Sequence, residues 1–325
     1  MKAIVYHKFG SADVLKLEEV EKPVPKDDEV LIKVRAAAVN PLDWRLMHGK
    51  PRAIGMMAKL LKMPIGKPGV DLAGEVEAVG KKVTRFKSGD KVFGGGRGAF
   101  AEYACAPEKG LVKKPESVTF EQAASIYVAG LTALQGLRDK GKLQSGQKVL
   151  INGGAGGVGT FAVQIAKTFG AHVTGVCSTR NLELVKSIGA DVAIDYTKED
   201  FATLPERYDL ILECVGNKSL AECRRVLTPK GRHVIVGAGK DPEVISIFLP
   251  LIEALVTSPF HRQKAITFIA KSNLADLTQL GEMVATGQLK PVIDRRYSLS
   301  DAPAAMRYAE EGHTRGKLVI EIGAQ

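Results

Sequence analysis

The segment Gly153-Gly154-Ala155-Gly156-Gly157-Val158-Gly159 constrains this chain more than any other. It stands between an apolar run, Lys148-Val149-Leu150-Ile151-Asn152, and a helical stripe in which Phe161, Ala162, Ile165, Ala166 and Phe169 share one face. Gly154, Gly156 and Gly159 satisfy G-x-G-x-x-G between a strand and a helix, and a second strand-like run, Val173 to Cys177, follows within about 30 residues. That context predicts a dinucleotide-binding turn. The first glycine permits the tight turn, the second lets a pyrophosphate approach the backbone, and the third lets helix and strand pack closely. Gly157, Val158 and Thr160 then open the helix, whose free N–H groups and positive dipole end suit phosphate.

The alternation continues downstream. A short helix over Leu182 to Ile188 ends at Gly189, and strands are expected over Asp191 to Ile194, Tyr208 to Glu213 and His233 to Gly237. Apolar strands alternating with helices imply a parallel, doubly wound α/β sheet covered on both faces. The first 120 residues have another texture. Short β-rich runs, such as Glu29 to Val39, Gly74 to Val79 and Lys91 to Gly94, are separated by turns such as Lys87-Ser88-Gly89-Asp90. This spacing predicts a small barrel-like β domain. Near the end come a helix over Leu274 to Thr286, a helix start at Ser300-Asp301-Ala302-Pro303, and a strand over Lys317 to Ile322 that could rejoin the first domain. The expected division is residues 1–122 with 266–325 in one discontinuous domain, and 123–265 in the other.

Composition narrows the function classes. The chain has 325 residues, 45% hydrophobic and 25% charged, which is ordinary for a globular protein. The formal charge of +10 comes from Lys and Arg interspersed with Asp and Glu, without a basic helix or an aromatic stacking platform, so no nucleic-acid partner is expected. No apolar run approaches the roughly 20 residues needed to span a bilayer, and the N-terminus enters a strand-like pattern directly, so neither membrane nor signal peptide is expected and the default location is cytoplasmic. The four cysteines, Cys105, Cys177, Cys214 and Cys223, show neither C-x-x-C spacing nor a histidine at a ligand interval, so no metal site is expected.

The end of the second strand of the dinucleotide unit selects the cofactor. An NAD-specific site places a carboxylate there for the ribose 2′-OH. This chain has Cys177-Ser178-Thr179-Arg180-Asn181, with two hydroxyls and a guanidinium able to bond a 2′-phosphate, so NADPH is favoured over NADH. Tyr196, after the third strand, could lie along the adenosine.

These residues and others resemble the medium-chain dehydrogenase/reductase superfamily, in its zinc-independent quinone oxidoreductase branch. The resemblance runs through Asp28-Glu29-Val30-Leu31-Ile32-Lys33-Val34, Ala38-Val39-Asn40-Pro41-Leu42-Asp43, Pro68-Gly69-Val70-Asp71-Leu72-Ala73-Gly74-Glu75-Val76, Gly89-Asp90-Lys91-Val92-Phe93-Gly94, Leu131-Thr132-Ala133, the glycine loop and Gly316-Lys317-Leu318-Val319-Ile320. It implies a GroES-like barrel domain, a Rossmann domain and a cleft between them for the nicotinamide. Where the zinc-dependent branch places a cysteine ligand this chain has Asn40, and where that branch places histidine and glutamate it has Val70-Asp71. Valine cannot ligate a metal and asparagine ligates zinc poorly. Zinc-free relatives transfer hydride from NADPH to quinones or to the C=C bond of enones and enals.

The resemblance places the nicotinamide near Asn40, Asp43 and Thr132, with Asn40, Asp43 and Lys317 as candidate catalytic residues. Val215-Gly216 and Val236-Gly237-Ala238, ending the next two strands, complete the expected cofactor site. The expected partner is a small electrophilic carbonyl or quinone. Asp43 could instead tie its own loop together, and Trp44 could line the pocket or fill core. Residues 52–63, carrying Met56, Met57, Leu60, Leu61 and Met63, read either as an apolar lid or as a surface helix. The apolar stretch 244–256 is a candidate homodimer surface or buried chain. Two alternatives stay open: an enoyl-thioester reductase, and an NADPH-binding protein without turnover. A short-chain reductase is excluded, because no Tyr-x-x-x-Lys pair follows the glycine loop.

Overall fold

A computed structural model describes residues 1–49, 66–237 and 262–323. The chain forms two compact units. The first comprises Met1–Leu131, Lys271–Gly287 and Ile293–Gln325, and the second comprises Thr132–Ala270 and Gln288–Val292. Against the expected division, residues 123–131 therefore lie in the first unit, and residues 266–270 and 288–292 lie in the second.

In the first unit, β1 (Lys2–Val5) and β2 (Lys16–Glu19) form a hairpin-like pair, while β3 (Glu29–Ala38), β4 (Asp71–Val79), β5 (Lys91–Gly95), β6 (Tyr103–Pro107) and β7 (Leu111–Lys113) build the larger sheet. Helix α1 (Pro41–Met47) follows β3, and α2 (Phe120–Ala124) and α3 (Tyr127–Gln135) follow β7. β3 organises the sheet because it pairs with both β4 and β6. Val30, Ile32 and Val34 alternate inward, and then Ala36, Ala37 and Ala38 are all buried, so small side chains carry β3 through its most crowded stretch. Gly74 on β4 is required by this crowding, since a Cβ there would run into the Lys33 carbonyl.

The second unit is a six-stranded sheet in the order β10-β9-β8-β11-β12-β13, from β8 (Lys148–Asn152), β9 (His172–Cys177), β10 (Val192–Asp195), β11 (Tyr208–Glu213), β12 (Leu227–Ile235) and β13 (Lys264–Thr267). Every pairing in it is parallel. Helices α4 (Gly157–Thr168), α5 (Leu182–Ser187) and α6 (Leu220–Arg225) make the crossovers that parallel strands require. Successive strands grow outward on both sides of β8, so the order reverses between β8 and β11. The ends of those two strands are where such sheets bind ligands. On α4 Phe161, Ala162, Ile165 and Ala166 of the expected face are buried, whereas Phe169 follows the helix and is only half-buried; Val163 and Gln164 are buried as well, and Gln164 bonds the backbone of Lys290 in both directions.

The chain then returns to the first unit with α7 (Leu274–Ala285), β14 (Ile293–Ser298), α8 (Ala302–Glu310) and β15 (Lys317–Glu321). The last strand rejoins the first domain as expected, antiparallel to β3. α8 sets Ala302, Ala305 and Met306 into the same core as Ile32, Leu72 and Ile320, the spacing of a one-faced helix. Trp44 packs on this core. No helix among the described residues is long and apolar enough to cross a membrane. Ala238 and the stretches 52–63 and 244–256 lie outside the described residues.

Candidate functional site

In the first unit three strand ends bring a polar cluster into the apolar core. Asn40 follows β3 and caps α1, Asp71 opens β4, and Lys317 opens β15. β3 pairs with both neighbours, with Ala38 opposite Asp71 on one side and Val319 on the other. The Lys317 ammonium donates to Asn40 Oδ1 at 2.6 Å and to Asp71 Oδ2 at 3.2 Å. Asp71 Oδ1 accepts the Val128 N–H at 3.2 Å. Asn40 Nδ2 donates to the Ala38 carbonyl at 3.3 Å, which leaves one amide hydrogen. Asn40, Asp71 and Lys317 are at most 3% exposed. A carboxylate this deep is stable only when paired, and Lys317 is the counter-charge.

Asp43 sits one turn further on. Its carboxylate accepts the Asn40 N–H at 2.8 Å and the Gly69 N–H at 3.2 Å, tying the start of α1 to the strand entering β4. Burial pushes its pKa up to about 7, and the Asp71 charge adds to the rise against the backbone donors and Lys317. Asp71 is also raised by burial, with Lys317 opposing. Sequence reasoning named Asn40, Asp43 and Lys317 but not Asp71 as a site residue. The signal available was an acid set directly among the apolar residues Val70, Leu72 and Ala73.

In the second unit the glycine loop connects β8 to α4. Gly153 takes φ +86°, which glycine adopts without strain. A Cβ on Gly159 would strike the Gly153 carbonyl, so this glycine serves close packing of helix on turn. Gly154 lies against Gly175 of β9. Gly156 is different. It caps α4 with φ −79° and ψ 178°, a conformation open to any residue, and a Cβ there would meet only the Gly153 carbonyl, at 3.4 Å. The protein itself does not demand glycine at this position. What remains is room for a ligand against bare backbone, beside the first-turn N–H groups of Gly157, Val158 and Gly159. This is the fit expected for a pyrophosphate. Thr160 is buried, its hydroxyl donates to the Gly157 carbonyl and its N–H donates to the Gly156 carbonyl at 2.9 Å, so it closes the first helical turn.

The loop after β11 completes the same edge. Glu213 accepts two bonds from the Asn152 amide, at 2.9 and 2.8 Å, and the Val215 and Gly216 N–H groups, both at 2.8 Å. It thereby shapes the turn that exposes Val215 and Gly216 beside Gly153. The N–H groups of Val236 and Gly237 bond the Glu213 carbonyl, both at 2.9 Å. Gly237 has no space for a Cβ, because the Cys214 backbone lies against it.

At the end of β9 one expectation needs correction. The β9 terminus lacks a carboxylate, but Asp195 at the end of β10 lies opposite Cys177. Thr179 Oγ1 donates to Asp195 at 2.5 Å, and Thr197 Oγ1 donates to it at 2.7 Å. The Thr179 hydroxyl hydrogen is thus engaged within the protein, beside a carboxylate that disfavours a phosphate at that atom. Ser178 Oγ accepts from Asn181 Nδ2 and keeps its own hydrogen, while Arg180 and Tyr196 are exposed. Thr132 lies on α3 as the first residue of the second unit.

Comparison with known proteins covers almost the whole chain. Residues 26–116 match the family model described as Alcohol dehydrogenase GroES-like domain, and residues 188–320 match the one described as Zinc-binding dehydrogenase. The chain is 39% identical to the 2-methylene-furan-3-one reductase of Solanum lycopersicum, over 98% of this chain and 79% of that protein. It is 37% identical to the chloroplastic NADPH-dependent alkenal/one oxidoreductase of Arabidopsis thaliana, with the same coverage of 98% and 79%. Among solved structures, the quinone oxidoreductase from Coxiella burnetii superposes with a TM-score of 0.86 at 34% identity, over 99% of each chain.

Proposed function

Because the chain belongs to the medium-chain dehydrogenase/reductase superfamily, in its quinone oxidoreductase-like branch, we propose that it is an NADPH-dependent reductase of quinones and α,β-unsaturated carbonyl compounds that works without a catalytic zinc. The observation that carries the zinc-free reading is the Asp71–Lys317–Asn40 chain. Asn40 and Val70-Asp71 occupy the positions where the zinc-dependent branch has its ligands, and here an ammonium fills the space beside them. An ammonium already bonded to Asn40 and Asp71 takes the place of a Lewis acid.

NADPH, when bound, supplies the hydride. The chain's own residues do the rest. The α4 N-terminus and the bare backbone at Gly156 hold the pyrophosphate, and Arg180 and Ser178 hold the 2′-phosphate. Lys317 bonds Asn40 Oδ1 and so fixes which end of the amide is the donor. The remaining Nδ2 hydrogen then serves as donor to the carbonyl oxygen that gains negative charge. Asp43 positions α1 through two backbone bonds. A donor of this kind suits substrates that are already electrophilic at carbon and disfavours simple ketones and alcohols, which need stronger polarisation. Four free cysteines among the described residues fit a reducing compartment such as the cytoplasm. Pairing into a homodimer belongs to the same reading.

The test is NADPH oxidation by the purified protein with a benzoquinone, a naphthoquinone, an enal, an enone, a small enoyl thioester and a simple ketone, with NADH as comparison. Turnover with quinones, enals or enones, at least about tenfold faster with NADPH, is the expected result. Turnover confined to the enoyl thioester moves the assignment to a thioester reductase. Tight NADPH binding with no turnover on any of them overturns the catalytic reading.

A further inference from the structure

Beneath the turn after β11, three side chains from separate elements meet in the core of the second unit. Glu213 ends β11, Cys223 lies on α6 and His233 lies on β12. A carboxylate oxygen, the Sγ and an imidazole nitrogen all lie within 4.8 Å of one another. The three residues are 1%, 0% and 2% exposed. We propose that Glu213, Cys223 and His233 form a binding site for one zinc-class divalent cation that braces the β11 turn.

The first observation is the state of His233. Neither Nδ1 nor Nε2 has a hydrogen-bond partner, although both are buried. A neutral imidazole carries one donor and one acceptor, and leaving each unpaired in a core costs about 1–3 kcal/mol. Buried polar groups are rarely left so, and when they are, an ion or a water is the usual explanation. The second observation is donor chemistry. Thiolate, imidazole and carboxylate are the ligand set zinc prefers. The third is charge. A doubly charged cation with one thiolate, one carboxylate and a neutral imidazole sums to zero, the balance a dry interior requires. Burial pushes the Glu213 and Cys223 pKa values up and the His233 value down to about 4, so without a cation all three are driven toward neutral forms.

The surroundings fit a ligand set held from behind. Asn152 and the N–H groups of Val215 and Gly216 already orient the Glu213 carboxylate. A cation here would stiffen the turn that carries Val215 and Gly216. The cysteine spacing alone predicts no metal site, and this proposal departs from that expectation. The residues stand at positions 213, 223 and 233, on a strand, a helix and a strand, an interval that matches no ligand motif.

The experiment uses the full chain. Metal content is measured after purification without chelator, and the chelator-stripped protein is titrated with Zn²⁺ and Co²⁺. The expected results are one equivalent bound per chain, a thiolate-to-cobalt charge-transfer band, and a Tm about 5 °C higher in about hundredfold excess of Zn²⁺ over Kd. Cys223→Ala and His233→Phe each abolish the band. If either variant does not fold, the wild-type titration and Tm shift decide. No bound metal, no cobalt band and no Tm shift overturn the proposal and leave a buried water as the partner of His233. A band that persists in folded Cys223→Ala also overturns it, because the metal then sits at another cysteine.

Discussion

Two glycines of the phosphate turn should behave oppositely when each gains one methyl group. At Gly159 the new Cβ would overlap the Gly153 carbonyl and lie 2.8 Å from Gly154 Cα. Both obstacles are backbone and cannot rotate away. Overpacking of this kind costs about 1–3 kcal/mol, here about 2–3 because neither obstacle can yield, and the helix-propensity gain of Ala over Gly, about 1 kcal/mol, offsets only part of it. Gly159→Ala should therefore lose about 1–2 kcal/mol of stability. At Gly156 the nearest atom to a Cβ is the Gly153 carbonyl at 3.4 Å, an ordinary contact. Ala is a poorer cap than Gly by some tenths of a kcal/mol, and it gains about as much by restricting the unfolded chain. Gly156→Ala should keep its stability within about 0.5 kcal/mol. Its methyl group would occupy the surface assigned to the pyrophosphate, so NADPH affinity should fall at least about tenfold, or about 1.4 kcal/mol. Urea denaturation and NADPH fluorescence titration separate the two effects. Wild-type NADPH affinity in Gly156→Ala, or a stability loss there equal to that of Gly159→Ala, would refute the assignment of Gly156 to the ligand.

Three further outcomes follow from the buried charges and the β9 terminus. Asp43, raised to about 7 in the folded chain, binds its proton more tightly folded than unfolded, so its contribution to stability is full below about pH 4 and is lost as pH rises through 7. Asp43→Asn should flatten that fall, read as the difference in urea midpoint between pH 5 and pH 8, while costing about 1 kcal/mol at pH 5 for a weakened backbone bond. Lys317→Met should destabilise by about 3–5 kcal/mol because it leaves Asp71 buried and uncompensated, and adding Asp71→Leu should recover most of the loss in urea unfolding. Arg180→Ala should weaken NADPH at least about tenfold and leave NADH unchanged, whereas Thr179→Val, whose hydroxyl faces Asp195, should change both by the same factor in paired titrations.

The parts of this protein legible in its sequence are those governed by local rules. The β8–turn–α4 unit follows from residues 148–169, because strand, tight turn and helix start are each set by neighbours a few positions apart. The parallel alternation of residues 172–213 was readable for the same reason, and strand ends shifted by only a residue or two. β12 was harder. It begins at Leu227, six residues before the expected start, because the pairing of Tyr208 with Leu227 extends it through Thr228, Pro229 and Lys230. Its polar texture hides a strand that only its neighbour stabilises.

The sites divide the same way. Gly154, Gly156 and Gly159 share a motif, yet only the packed turn shows that Gly159 answers to the protein and Gly156 to a ligand. Thr179 looks like a phosphate donor until β10 sets Asp195 beside it. Lys317 meets Asn40 across 277 positions and Asp71 across 246. Glu213, Cys223 and His233 converge only because β11, α6 and β12 enclose one core. Chemical type and local conformation are written residue by residue. Which groups are buried together, and what burial then forces on their charges, is decided only when distant strands pair and exclude water.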